Sequence, residues 1–162
     1  MPGLPSGTVT FLFTDIEGST RLWERDRTAM HAAVERHLAL LREAATQHRG
    51  LLYKTVGDGT QAAFPTAADA LRAALAAQQA LLAEPWPDPP GPLRVRMALH
   101  AGEAEPQDSD YLAAPLNRLA RRLGIAHGGQ ILLTEAVQQL AQDDLRLGAS
   151  LRDLGEIPLR DL

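Results

Sequence analysis

The stretch "TVTFLFTDIEGST", Thr8 to Thr20, decides how the rest of the chain is read. Val9, Phe11 and Phe13 alternate with Thr10, Leu12 and Thr14, and both sets are largely apolar or β-branched. Such a run predicts a strand over Thr8–Ile16, and a strand covered on both faces belongs in the middle of a sheet. It ends in two acids, Asp15 and Glu17, followed by Gly18, Ser19 and Thr20. A small-residue turn that leads into a helix presents unpaired backbone N–H groups, a place where phosphate binds well.

Outward from that strand, the pattern changes to helix over residues 27–48. Met30, Ala33, Val34, His37, Leu38, Leu41 and Ala45 recur at helical spacing, and Gly50 is placed to stop the helix as a C-cap glycine. "LLYKTVGDGTQAAF", residues 51–64, reads as strand, turn and strand, with Gly57-Asp58-Gly59 at the turn. A second helix is predicted over 67–83, and the proline-rich residues 84–92 form a surface connection. Residues 93–100 read as a strand and "AGEAEPQDSD" as a polar loop. A third helix over 114–126 carries an apolar stripe of Leu116, Leu119, Ala120 and Leu123. A short strand, a short helix and a closing hairpin over 151–162 complete the chain. This order predicts an α+β fold, a mostly antiparallel sheet with helices packed on it. Residues 1–7 are read as an N-terminal tail and 8–162 as one domain, excised from a longer chain.

Composition narrows the function. At 162 residues the chain can bury a core without staples, and 45% apolar with 22% charged residues excludes a disordered segment. The absence of cysteine removes disulfides, thiolate metal sites and thiol nucleophiles. A net charge of −4, with no basic run longer than two residues, argues against nucleic acid as the partner. No apolar stretch reaches membrane-spanning length, and the N-terminus lacks the pattern of a secretion signal. A cytoplasmic domain is the expectation.

Two acids at strand ends are the first candidates for chemistry. If the strands bearing Asp15 and Asp58 are neighbours, the carboxylates converge and offer hard oxygen ligands suited to Mg²⁺ or Mn²⁺. The plain alternative is that Asp15 caps a helix and Asp58 only forms a turn. Glu17 is either a third ligand or an acid that favours a helix N-terminus. On the third helix Asn117 and Arg121 stand four apart on one flank, able to hold a ribose oxygen and a phosphate, or else part of a solvated face. Lys54 either protects an edge strand or donates into a pocket. The five histidines show no metal spacing, and His37 reads as a core residue.

Together these stretches resemble the class III nucleotidyl cyclase catalytic domain, in its bacterial "FTDIEGST" form. The resemblance runs from Val9 to Leu162 and implies a ferredoxin-like, palm-type fold. "FTDIEGST" is similar to the family's first metal loop, so Asp15 and the Ile16 carbonyl would be metal ligands, with Gly18, Ser19 and Thr20 beside the substrate phosphates. "KTVGDG" is similar to the second metal loop, making Asp58 the other ligand of two Mg²⁺ or Mn²⁺ ions per site. Lys54 and Asp110 fall where the family reads adenine, Asn117 where it orients ribose, and Arg121 where it stabilises the transition state. Arg160 corresponds to a basic contact with the triphosphate. The resemblance implies ATP as substrate, cyclic AMP as product, and a homodimer with active sites at the interface. The alternative is a catalytically inactive cyclase-like module that binds nucleotide or dimerises to regulate a fused output domain.

Overall fold

Gly7–Ile16 forms strand β1, as the alternation predicts, followed by helices α1 (Ser19–Arg25) and α2 (Arg27–Gln47). Strands β2 (Leu51–Val56) and β3 (Gly59–Phe64) make the expected hairpin, and α3 spans Ala67–Ala83. Then come β4 (Val95–Ala104), β5 (Pro106–Gln107), β6 (Asp110–Tyr111), α4 (Ala114–Leu123), β7 (Ile131–Leu133) and α5 (Glu135–Ala141). These elements come from a computed structural model that describes residues 3–111 and 114–141. The closing hairpin expected over 151–162 lies outside the described residues, and Arg160 with it.

The main sheet has the order β2-β3-β1-β4-β7, so β1 is its central strand. Its pairings are antiparallel except that β7 runs parallel to β4. Strand alternation sends the two sets of β1 side chains into two cores. Leu12 and Ile16 pack with Met97 and Leu99 against α2, α3 and α5, while Val9, Phe11 and Phe13 pack with Leu116, Leu119 and Leu123 of α4. Helices on both faces explain why β1 reads as apolar on alternate and intervening positions alike.

Caps account for two helix starts. The Asp26 carboxylate accepts the Ala29 N–H at 2.9 Å, and the Thr66 hydroxyl oxygen accepts the Asp69 N–H at 3.1 Å. Three local expectations need correction. The left-handed residue after α2 is Arg49, at φ 62°, and Gly50 is needed for another reason: a Cβ there would run into the Phe64 ring. The polar "AGEAEPQDSD" segment is not a loop throughout, because β4 continues to Ala104 along β1 and a two-residue turn, Asp108-Ser109, closes the β5–β6 hairpin. Both turn residues have positive φ, as a type I′ hairpin turn requires. Finally, α4 ends at Leu123 and not at 126, and Ala120 of its predicted stripe is exposed.

Candidate active site

Antiparallel pairing of β1 with β3 sets Thr14 opposite Thr60, and their hydroxyls share a buried hydrogen bond at 2.5 Å. That register places the end of β1, and Asp15, against the β2–β3 turn that carries Asp58. Gly59 permits the approach, since a Cβ there would stand 3.0 Å from the Thr14 carbonyl oxygen and 3.8 Å from Asp15 Cβ. The two acids singled out from sequence therefore stand at the same end of the sheet. Asp15 is not a helix cap: the N-cap of α1 is Gly18, at φ 69°, with no side-chain cap bond.

Asp15 is instead held by Arg96, a residue the sequence reading passed over. Register pairs Asp15 with Arg96 across β1 and β4. The guanidinium donates from Nε to Oδ1 and from Nη2 to Oδ2, both at 2.6 Å, the two-pronged geometry that favours arginine. Hydrogen bonding to Asp15 is the main cause that raises the Arg96 pKa, and the charges of Asp15, Glu17 and Asp58 add to it. Asp15 alone touches this cation, and the other two acids act on it through their charge. The only sequence signal for Arg96 was a cation inside the apolar run "LRVRMAL", which without register had no partner.

Glu17 also differs from its expected role. It precedes the Gly18 N-cap, so it is not in the first turn of α1. Its N–H donates to the Arg94 carbonyl at 2.8 Å, and its carboxylate accepts the Gly128 N–H.

A second cluster lies at the β2 edge. Lys54, exposed on that edge strand, donates from Nζ to Asp110 Oδ2 at 2.9 Å. Asp110 is held from behind, because its Oδ1 accepts the Tyr111 N–H at 2.7 Å. Tyr111 in turn is buried edge-on against Phe11 and Tyr53, with centroids 4.8 and 5.1 Å apart. The Lys54 hydrogen bond, then the Tyr111 N–H, hold the Asp110 carboxyl below the ordinary range. Burial pushes the Tyr111 phenol up to about 12. The β5–β6 hairpin, misread as loop, is what presents Asp110.

Gly18 precedes α1, and Ser19 and Thr20 form its first turn beside the Asp15 end of β1. Asn117 and Arg121 lie on α4, packed over β1 and β4 through Leu116, Leu119 and Leu123, and the Arg121 side chain is exposed. Among the described residues no group of three or more acidic or histidine side chains could hold a metal ion. No helix among the described residues is long and apolar enough to cross a membrane.

Comparison with known proteins follows the same outline. The model of the "Adenylate and Guanylate cyclase catalytic domain" family matches residues 3–160. An uncharacterised protein of Mycobacterium tuberculosis is 39% identical over 160 residues, covering 98% of this chain and 53% of that protein. The chain therefore spans about half the length of that relative. An adenylate cyclase of Lachancea kluyveri is 38% identical over 154 residues, covering 80% of this chain and 8% of the yeast protein. Among solved structures, an adenylate cyclase from Trypanosoma brucei in its monomeric state superposes with a TM-score of 0.86 at 29% identity, covering 99% of this chain and 87% of that one.

Proposed function

The chain belongs to the adenylate and guanylate cyclase catalytic domain family, and from that premise we propose that it converts ATP to 3′,5′-cyclic AMP and pyrophosphate. The observation that carries the proposal is the approach of the Asp58 turn to Asp15, whose two oxygens Arg96 holds. An all-oxygen donor set suits Mg²⁺ or Mn²⁺, and the Arg96 guanidinium already stands at Asp15 as a positive counter-charge. Two such ions, held by Asp15, the Ile16 carbonyl and Asp58, would supply acidification of the ribose 3′-hydroxyl and neutralisation of the phosphates.

The remaining roles fall to this chain's own side chains. Lys54 carries three N–H donors, so it can keep Asp110 while donating to the N1 acceptor of adenine. The Asp110 carboxylate accepts from the 6-amino group. The backbone N–H groups of Gly18, Ser19 and Thr20 face phosphate oxygens at the start of α1, and Arg160 adds a cation to them. Asn117 orients the ribose so that its 3′-oxygen stands in line with the α-phosphorus. Arg121 donates to the charge that grows as the P–O bond to pyrophosphate breaks, a contribution of the kind whose loss costs ~10²–10³-fold in rate. In this proposal two copies pair head to tail. Each site takes Asp15 and Asp58 from one chain and Lys54, Asp110, Asn117 and Arg121 from the other.

One observation favours a second reading. Arg96 occupies both oxygens of Asp15, as it would in a nucleotide-binding module that regulates an output domain without turnover. Incubation with ATP or GTP plus Mn²⁺, with products separated by chromatography, decides between them. Cyclic AMP from ATP is expected, and Asp15→Ala is expected to abolish it. Cyclic GMP alone would overturn the base assignment. Binding without product would favour the regulatory module, and full activity of Asp15→Ala would defeat the mechanism.

A further inference from the structure

Glu17 has no part in the mechanism above, yet it is placed between the two halves of the catalytic machinery that one chain carries. Its N–H to the Arg94 carbonyl extends the β1–β4 pairing one step past Ile16 and Val95. The carboxylate is therefore rooted next to the metal loop, and it accepts the Gly128 N–H in a charge-assisted hydrogen bond. Gly128 belongs to the turn between α4 and β7. A Cβ there would run into Arg94 Cβ and stand 3.1 Å from Glu17 Oε2, so the approach requires glycine.

That turn is stiff. Gly129 N–H donates to the Val95 carbonyl at 2.8 Å, Gln130 N–H to the His127 carbonyl at 2.9 Å, and Met97 N–H to the Gln130 carbonyl at 3.1 Å. The His127 N–H is taken by Gln130 Oε1 at 2.8 Å. Back toward α4 there is little slack, since Ala126 N–H bonds the Leu123 carbonyl and Gly124 N–H bonds the Arg121 carbonyl, both at 3.1 Å. A path of hydrogen bonds joined by short lengths of backbone thus runs from the loop of Asp15 and Ile16, through Glu17 and Gly128, to the backbone of Arg121.

We propose that Glu17 is a positioning residue that couples the metal loop to the helix bearing Asn117 and Arg121. The inference rests on the cyclase reading. There the metal loop serves one active site of the dimer and α4 the other, so this contact links the two sites inside each protomer. Binding at Asp15 would then tighten or shift α4 toward the opposite site, and by linkage the effect runs both ways.

The test uses the ¹⁵N-labelled full chain titrated with Mg²⁺, reading the amide resonances of Ile16 and Gly128. In the wild type both are expected to move together. In Glu17→Ala only Ile16 should move. In Glu17→Gln, whose amide oxygen still accepts a hydrogen bond, Gly128 should respond again. Kinetically, Glu17→Ala should lower kcat by ~10-fold with the KM for ATP unchanged, the size of effect seen for residues that orient metal ligands, and Glu17→Gln should recover most of the loss. If Ile16 moves and Gly128 stays still in the wild type, the coupling is overturned while the metal site stands. If neither moves, the metal site falls, and the coupling with it. Equal defects in Glu17→Gln and Glu17→Ala would mean that charge on Arg96, and not the tie to Gly128, is what Glu17 supplies, which also overturns the proposal.

Discussion

Replacing Arg96 by alanine tests whether Asp15 is tied to its own strand neighbour until a metal takes its place. The pair is two-pronged, with both N···O distances 2.6 Å, and each side chain is only about a quarter exposed, at 25% and 26%. Opposite charges ~4 Å apart attract by ~4 kcal/mol at an effective dielectric of about 20, before desolvation is subtracted. Exposed pairs are worth ~0–1 kcal/mol, and breaking a fully buried one costs ~3–5 kcal/mol. A quarter-exposed pair falls between these limits. Losing the cation also leaves Asp15 facing Glu17 and Asp58, whose charges act on Arg96 in the native protein. The expected cost in metal-free buffer is ~1–2 kcal/mol, a fall of roughly 2–8 °C in Tm for a chain of this size. The same free energy no longer opposes a divalent ion, so Mn²⁺ should bind Arg96→Ala ~5–30-fold more tightly. Urea unfolding in chelator and isothermal titration with Mn²⁺ measure the two quantities. Unchanged stability together with equal or weaker Mn²⁺ binding would refute the competition between arginine and metal.

Three other substitutions probe separate parts of the molecule. Lys54→Ala removes a charged donor at the proposed base pocket and should lower kcat/KM for ATP by ~10–100-fold. Because the Lys54–Asp110 pair is largely exposed, thermal melting should show little change in stability. His37 is fully buried and burial lowers its pKa, with Asp58 acting in the opposite sense. The unfolded chain takes up that proton near pH ~6.5 while the native state stays neutral. Stability from His37 is therefore complete above ~6.5 and is lost as pH falls toward the native pKa, at up to ~1.4 kcal/mol per pH unit. His37→Leu should flatten that part of the profile between pH 7.5 and 5.5, and a profile identical to wild type would contradict the assignment. Gly50→Ala sets a methyl group against the buried Phe64 ring and should cost ~1–3 kcal/mol by chemical denaturation. An unaffected midpoint would show that the ring can yield.

Local pattern sufficed where packing and periodicity agree. β1, α2, α3 and the β2–β3 hairpin were legible because their apolar spacing, caps and turn residues all point one way. It failed at "AGEAEPQDSD", where β4 continues with polar residues because it pairs with the first residues of β1, and where the turn needs no glycine. It failed again at Gly50, whose smallness answers to the Phe64 ring and not to backbone conformation.

The candidate site divides along the same line. By itself the sequence determined the chemical types: acids at a strand end and in a turn, a lysine on an edge strand, an amide and an arginine four apart on a helix. Local preference and hydrophobic alternation act within a few residues, so they reach that far. Only the tertiary structure decided which of these groups meet. Register across β1, β3 and β4 brought the Asp58 turn to Asp15 and placed Arg96 on both its oxygens, and the β5–β6 hairpin carried Asp110 to Lys54. Register is set by side chains far apart in the chain that pack on the same sheet, and shifting a strand by one residue would turn each of these groups to the opposite face.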